Sequence, residues 1–281
     1  MTGPEVLDYL ERLGARFGAG PAYRRLSSAL VGTCEKNARY LKISEYESSL
    51  PLTSEVKARF VHYIVYRPGP DRRKVGLLYS GRALELMRRA GFAEGAADFL
   101  TELIRRIEAS GLAFPPTIVS AEWGFRRPAV EKITVYFCFR RMSAALAGLL
   151  AGAYGRKDAG RILAAGRHLT FFGADFSPAG PVSFKLYRKY RGGRGLRRGE
   201  REFLERNRVR GMTHYVRVTR LFPDGRTRED ERTHFVLKRS AAPFRLPAAG
   251  AALLGEFGVS AGLKNVVSMD RRGRLAEVYF S

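Results

Sequence analysis

The sequence predicts an α+β fold: a ten-stranded antiparallel β-barrel built from five helix-hairpin (ααββ) repeats, with the helices outside. Two observations predict it. Helical sequence followed by two short strand-like segments with a turn between them recurs five times along the chain. Several strand candidates also place basic residues and tyrosines on one face and apolar residues on the other, as a wall between a polar space and a greasy layer requires. Parallel order is excluded, because strands joined by two to six residues must be antiparallel.

The elements follow in order. Val6, Leu7, Leu10, Leu13 and Phe17 keep helical spacing, and Pro21 to Cys34 continues as a second helix. Tyr40 to Ser48 and Lys57 to Tyr66 read as strands joined by the Pro51 region and stopped by Arg67-Pro68-Gly69-Pro70. Ser80 to Gly91 and Glu94 to Ser110 are helical, the latter with Phe99, Leu100, Leu103, Ile104 and Ile107 on one side. Thr117 to Gly124 and Lys132 to Arg140 form the next hairpin, and Ser143 to Tyr154 and Lys157 to His168 the next helices.

The hairpin from Leu169 to Tyr190 organises the chain. Its first strand, Leu169 to Phe176, is apolar and aromatic, and Ser177-Pro178-Ala179-Gly180 is the turn. In the second strand Ser183, Lys185, Tyr187 and Lys189 share one face, and Val182, Phe184, Leu186 and Arg188 the other. A Gly/Arg loop and a short helix, Glu200 to Arg208, lead to strands Thr213 to Leu221 and Thr233 to Arg239. A helix over Pro247 to Gly258 precedes Asn265 to Asp270 and Leu275 to Phe280, paired across Arg271-Arg272-Gly273.

Composition bounds the function. The 281 residues are 45% hydrophobic and 11% aromatic, a globular balance read as one domain over 1–281. No apolar run is long enough to span a bilayer and the acidic N-terminus is not a signal peptide, so a soluble cytoplasmic protein with no membrane partner is expected. Cys34 and Cys138 have neither CxxC spacing nor a nearby histidine and read as small buried hydrophobes. A formal charge of +23 points to an anionic partner, with arginine-rich coding bias as the bland alternative. His62, His168, His214 and His234 show no metal spacing, and Glu229-Asp230-Glu231 reads as solvated.

Five helix-hairpin repeats closing a ten-stranded barrel, together with Lys185-Leu186-Tyr187, Val267-Ser268-Met269-Asp270 and Val278-Tyr279-Phe280-Ser281, resemble the ABBA or PT-barrel aromatic prenyltransferases. The run Thr117 to Phe139 and the Leu169 to Tyr190 hairpin are similar in layout to the cyanobactin-type peptide prenyltransferases. The resemblance implies transfer of a dimethylallyl or longer prenyl group from an isoprenoid diphosphate to an electron-rich acceptor. It assigns Arg59, Lys132, Lys185, Arg217 and Lys238 to the diphosphate. Tyr136, Tyr187, Tyr215 and Tyr279 would shield the allylic cation, and Glu45 or Glu47 would take the acceptor's proton as catalytic base. No Asp-rich motif holds a metal and no cofactor is required; magnesium can arrive with the diphosphate, as in some barrel members. Because the last predicted strand ends at Phe280, next to the terminal Ser281, the resemblance favours a peptide acceptor ahead of a small aromatic. Two other readings stand beside this one. Arg188 to Arg210 and Arg271-Arg272 are those of a nucleic-acid-binding protein, and a silent barrel would merely hold an apolar ligand.

Overall fold

A computed structural model describes residues 41–53, 59–68, 84, 86–112, 115, 117–124, 129–139, 141–166, 169–223, 230–238 and 264–280. The predicted helices at 6–17, 21–34 and 247–258 lie outside these residues, as do residues 80–83 and 85 of the one at 80–91. Strands β1 (Leu41–Thr53) and β2 (Arg59–Pro68) come first, then helix α1 (Glu94–Ala109). Strands β3 (Thr117–Gly124) and β4 (Val130–Phe137) precede α2 (Ala144–Ala153) and α3 (Ala159–Ala165). The hairpin β5 (Leu169–Ser177) and β6 (Gly180–Arg191) leads to α4 (Arg198–Arg206). Strands β7 (Met212–Leu221), β8 (Asp230–Leu237), β9 (Lys264–Met269) and β10 (Leu275–Phe280) complete the chain.

Each strand pairs antiparallel with its neighbour in the chain. The ring closes where β1 meets β10, with Leu50 opposite Phe280 and Thr53 opposite Glu277. Pro51, expected in the first turn, lies within β1 opposite Tyr279. Strand β1 runs on to Thr53 and so is long enough to pair on both sides, with β2 and with β10. Strand β8 likewise begins at Asp230, three residues before the predicted start.

The outer face of the strands carries the core. Leu100, Leu103, Ile104 and Ile107 of α1 and Leu146 and Leu150 of α2 are buried in one cluster with Phe172, Phe176, Phe184 and Leu186. Phe99 meets Phe176 edge-on at 6.0 Å, and Tyr154 lies 4.4 Å from Phe184. Each such side chain removed from water contributes about 1.5–3 kcal/mol, so this layer, rather than the lumen, holds the wall in shape. Local signals set the helix ends: the Ser143 hydroxyl accepts from the Leu146 N–H at 3.1 Å, and α1 stops at Gly111 with φ +71°. A second cluster joins Phe203 of α4 to Tyr215, Phe235, Val267, Met269 and Val278. Helices on the outer face leave the other face to the enclosed space. On β6 that inner face is Ser183, Lys185, Tyr187, Lys189 and Arg191.

Candidate active site

Asp175 is the centre of the lumen wall. It is fully buried in β5, a lone carboxylate in an apolar run. Thr134 donates to it at 2.8 Å from β4 and Ser183 at 2.8 Å from β6. The Lys185 ammonium lies 2.9 Å from one oxygen, and Arg220 of β7 donates to the other at 3.0 Å. Side chains of three strands, β4, β6 and β7, thus converge on one carboxyl group of a fourth. Burial by itself would raise its pKa, but Lys185, Lys132 and Arg220 around it hold it well below the ordinary carboxylate range. Lys185 is the mirror image: burial works against its charge, and Asp175 more than restores it. Lys132, paired with Glu122 of β3, is held lower, by burial first and by Lys185 next. Three cations face two carboxylates in this cluster, which leaves it one positive charge.

Aromatic faces stand beside the cations. Tyr187 stacks on Phe171 at 4.3 Å, and Tyr136 meets both edge-on, at 5.6 Å from Tyr187 and 5.7 Å from Phe171. Gly173 makes this possible. It sits opposite Tyr136 in the β4–β5 pair, and a Cβ there would come within 2.9 Å of the Tyr136 ring. Burial pushes both tyrosine hydroxyls up, so they stay neutral donors with intact π faces.

A second polar group lines β8 to β10. Arg232 and the Tyr279 hydroxyl donate to Glu277 at 2.6 and 2.7 Å. His234 is hydrogen-bonded to Ser268 at 2.5 Å, and its ring is 6.0 Å from that of Tyr279.

The sequence-predicted residues distribute unevenly over this geometry. Lys132, Lys185, Tyr136 and Tyr187 share one wall and Tyr279 another. Register places the β1 and β2 candidates. Glu45 is opposite Val65, Val65 opposite Ile118, and Ile118 opposite Tyr136, whose row continues through Gly173 to Lys185. Glu47 follows Tyr63, Ser120 and Thr134 into the row of Asp175, and Arg59 is opposite Gly124.

Four expectations are corrected. Arg217 and Tyr215 lie on the outer face under α4, not beside Lys185. Arg217 donates to Glu200 at 2.8 and 2.6 Å, and Tyr215 is buried with Phe203 and Phe235 while its hydroxyl donates to the Arg194 carbonyl at 3.1 Å. Lys238 lies beyond the end of β8, exposed, its backbone N–H donating to Gly211 at 2.9 Å. Glu231 is not a solvated acid: Arg188 donates to it at 3.0 Å and Arg197 pairs with it.

Sequence reasoning missed Arg220, Asp175, Glu122, Glu277, Arg232 and His234. The available signal was weak: a single acid inside each of the strands Leu169–Ser177 and Thr117–Gly124.

Among the described residues no group of three His, Cys, Asp or Glu side chains is placed to hold a metal ion, and no helix is long and apolar enough to cross a membrane. No family model and no curated protein matches the chain. Solved structures do. A 6-dimethylallyl tryptophan synthase superposes with a TM-score of 0.58 at 18% identity, covering 99% of this chain and 96% of that one. The chain shares its barrel fold. The 6-dimethylallyltryptophan synthase from Micromonospora olivasterospora, in complex with DMASPP and Trp, gives 0.56 at 18% identity over 100% of this chain and 97% of that one. Both neighbours are named as dimethylallyltryptophan synthases, and at this identity they show the fold that the chain shares with them.

Proposed function

We propose that the chain is a single prenyltransferase domain over 1–281, a PT barrel of five helix-hairpin repeats, which moves a prenyl group from an allylic diphosphate to an electron-rich aromatic carbon. One observation carries the reading: Lys132, Lys185 and Arg220 adjoin the ring faces of Tyr136, Tyr187 and Phe171 inside a barrel of the tryptophan-prenylating fold.

The chemistry needs both halves. Breaking the allylic C–O bond leaves its electron pair on the diphosphate, and the cations neutralise that charge where it develops. The allylic cation is stabilised by π faces, which offer no lone pair strong enough to capture it. Attack by the acceptor ring forms the new C–C bond, and the ring proton passes to a carboxylate, the role we assign to Glu45 or Glu47; the backbone register of these positions, in the rows of Tyr136 and Asp175, supports that assignment. The three cations meet part of the charge that develops on the leaving diphosphate, and magnesium can accompany the donor.

DMASPP and Trp in the Micromonospora protein support a dimethylallyl donor and a small aromatic acceptor here. A peptide side chain, as in the cyanobactin-type branch, is the second acceptor class. The test is incubation with dimethylallyl and geranyl diphosphates and a panel of indoles, phenols and tyrosine-, tryptophan- or arginine-containing peptides. Prenylated product from the free aromatics is expected. Product from peptides alone would transfer the acceptor to the second class, and neither product nor diphosphate release would overturn the proposal.

A further inference from the structure

The inner face of β6 does not stop being basic at Lys185. Beyond Tyr187 it continues through Lys189 and Arg191, both exposed, toward the mouth where the helices attach. Register sets Lys189 opposite Val216 and Arg191 opposite His214 on β7, with His214 opposite Val236 on β8. Among the described residues, the inner-face positions of β6, β7 and β8 between Tyr187 and this mouth include no carboxylate. Exposed Arg194, Arg210 and Lys238 stand around the same strand ends. Of the carboxylates that pair the inner cations, Asp175 and Glu122 belong to β5 and β3 and lie on the hairpin side of the Lys185 row, while Glu277 of β10, three strands beyond β7 in the row of Lys189, is engaged by Arg232. Along β6, β7 and β8 the result, among the described residues, is a run of positive charge from the rim to the buried cluster. It is about 20 Å long, from Arg191 to Lys185 at about 3.3 Å per residue.

We propose that the diphosphate donor is loaded through this helix-side mouth, steered by Arg191 and Lys189 toward Lys185. The inference rests on the proposed function and adds the route and its driving force. A polyanion approaching a low-dielectric opening of one sign is concentrated there, and its association rate rises accordingly. Neither Lys189 nor Arg191 needs to touch the bound donor. Their effect is on arrival, not residence, and salt at about a Debye length of 10 Å or less abolishes it.

The experiment is stopped-flow binding of an anthraniloyl-tagged geranyl diphosphate to the full chain and to the K189S/R191S variant, at low and high ionic strength. The association rate of the variant should be about 3- to 10-fold lower at low salt and equal to that of the wild type at high salt. The dissociation rates should agree within about twofold. The charge-preserving K189R/R191K variant should bind as the wild type, which separates loss of charge from loss of fold. Equal association rates at low salt, or a deficit that persists at high salt, would overturn the inference. So would a rim that captures acidic peptides or oligonucleotides while probe loading ignores the two substitutions. Salt-steered loading without any prenyl transfer would sink the proposed function and leave this route standing; transfer indifferent to both residues would do the reverse.

Discussion

The Asp175 carboxylate and the Lys185 ammonium lie 2.9 Å apart across the β5–β6 pair, with the carboxylate fully buried. A buried charge pair of this kind adds little over a well-packed apolar pair, but removing one member leaves the other stranded, at a cost of about 3–5 kcal/mol. Asp175→Asn keeps the shape and removes the charge that Lys185 and Arg220 share. Urea denaturation should show a loss of that size, and diphosphate binding to the surviving folded protein should not weaken, because the cations lose their competitor.

Arg217 and Arg220, three residues apart on β7, should behave as different kinds of residue. Arg217 is locked to Glu200 beneath α4, so Arg217→Met should lower the unfolding free energy by about 3–5 kcal/mol while sparing the donor KM of the folded protein. Arg220 faces the lumen with Asp175, so Arg220→Met should raise the donor KM by about 10-fold or more. Steady-state kinetics alongside denaturation separate the two.

The contrast also shows where the sequence is legible. The face of β6 reads directly, because Lys185 and Tyr187 alternate with Phe184 and Leu186. On β7 the alternation inverts: the inner positions Val216 and Val218 are apolar, and the outer Arg217 is polar because α4 brings Glu200 to meet it. Nothing within β7 reports that partner. Asp175 is hidden for a similar reason, since its meaning depends on Arg220, 45 residues further along. Hairpin order, by contrast, is written in local turn residues, and the ring order follows it.

Tyr187 and Tyr136 should matter as rings rather than as hydroxyls. Tyr187→Phe should retain most turnover, whereas Tyr187→Ala should lower it by about 10- to 100-fold and raise the ratio of free prenyl alcohol to prenylated acceptor as water reaches the cation. Gly173→Ala should resemble a mild version of Tyr187→Ala by pushing the Tyr136 ring off the β5 backbone. Product ratios by mass spectrometry give the readout.

Glu277 makes part of the stability acid-labile. Burial would raise its carboxyl pKa, but Arg232, His234 and the Tyr279 hydroxyl draw it down to about 2 from an ordinary 4.5. The unfolded chain therefore takes up that proton first as the pH falls. The stabilisation is complete above about pH 4.5 and is lost as the pH falls toward 2, an amount of about 3 kcal/mol. Urea unfolding across that window should give a flatter profile for Glu277→Gln than for the wild type.

The lumen account is tested most directly by a crystal structure of the protein with dimethylallyl S-thiolodiphosphate. It predicts diphosphate oxygens within hydrogen-bond distance of Lys132, Lys185 and Arg220, and the dimethylallyl chain against the rings of Tyr136 and Tyr187. Density for the diphosphate on the outer face or on the exposed arginines of the β6–α4 loop, with those three cations untouched, would contradict it.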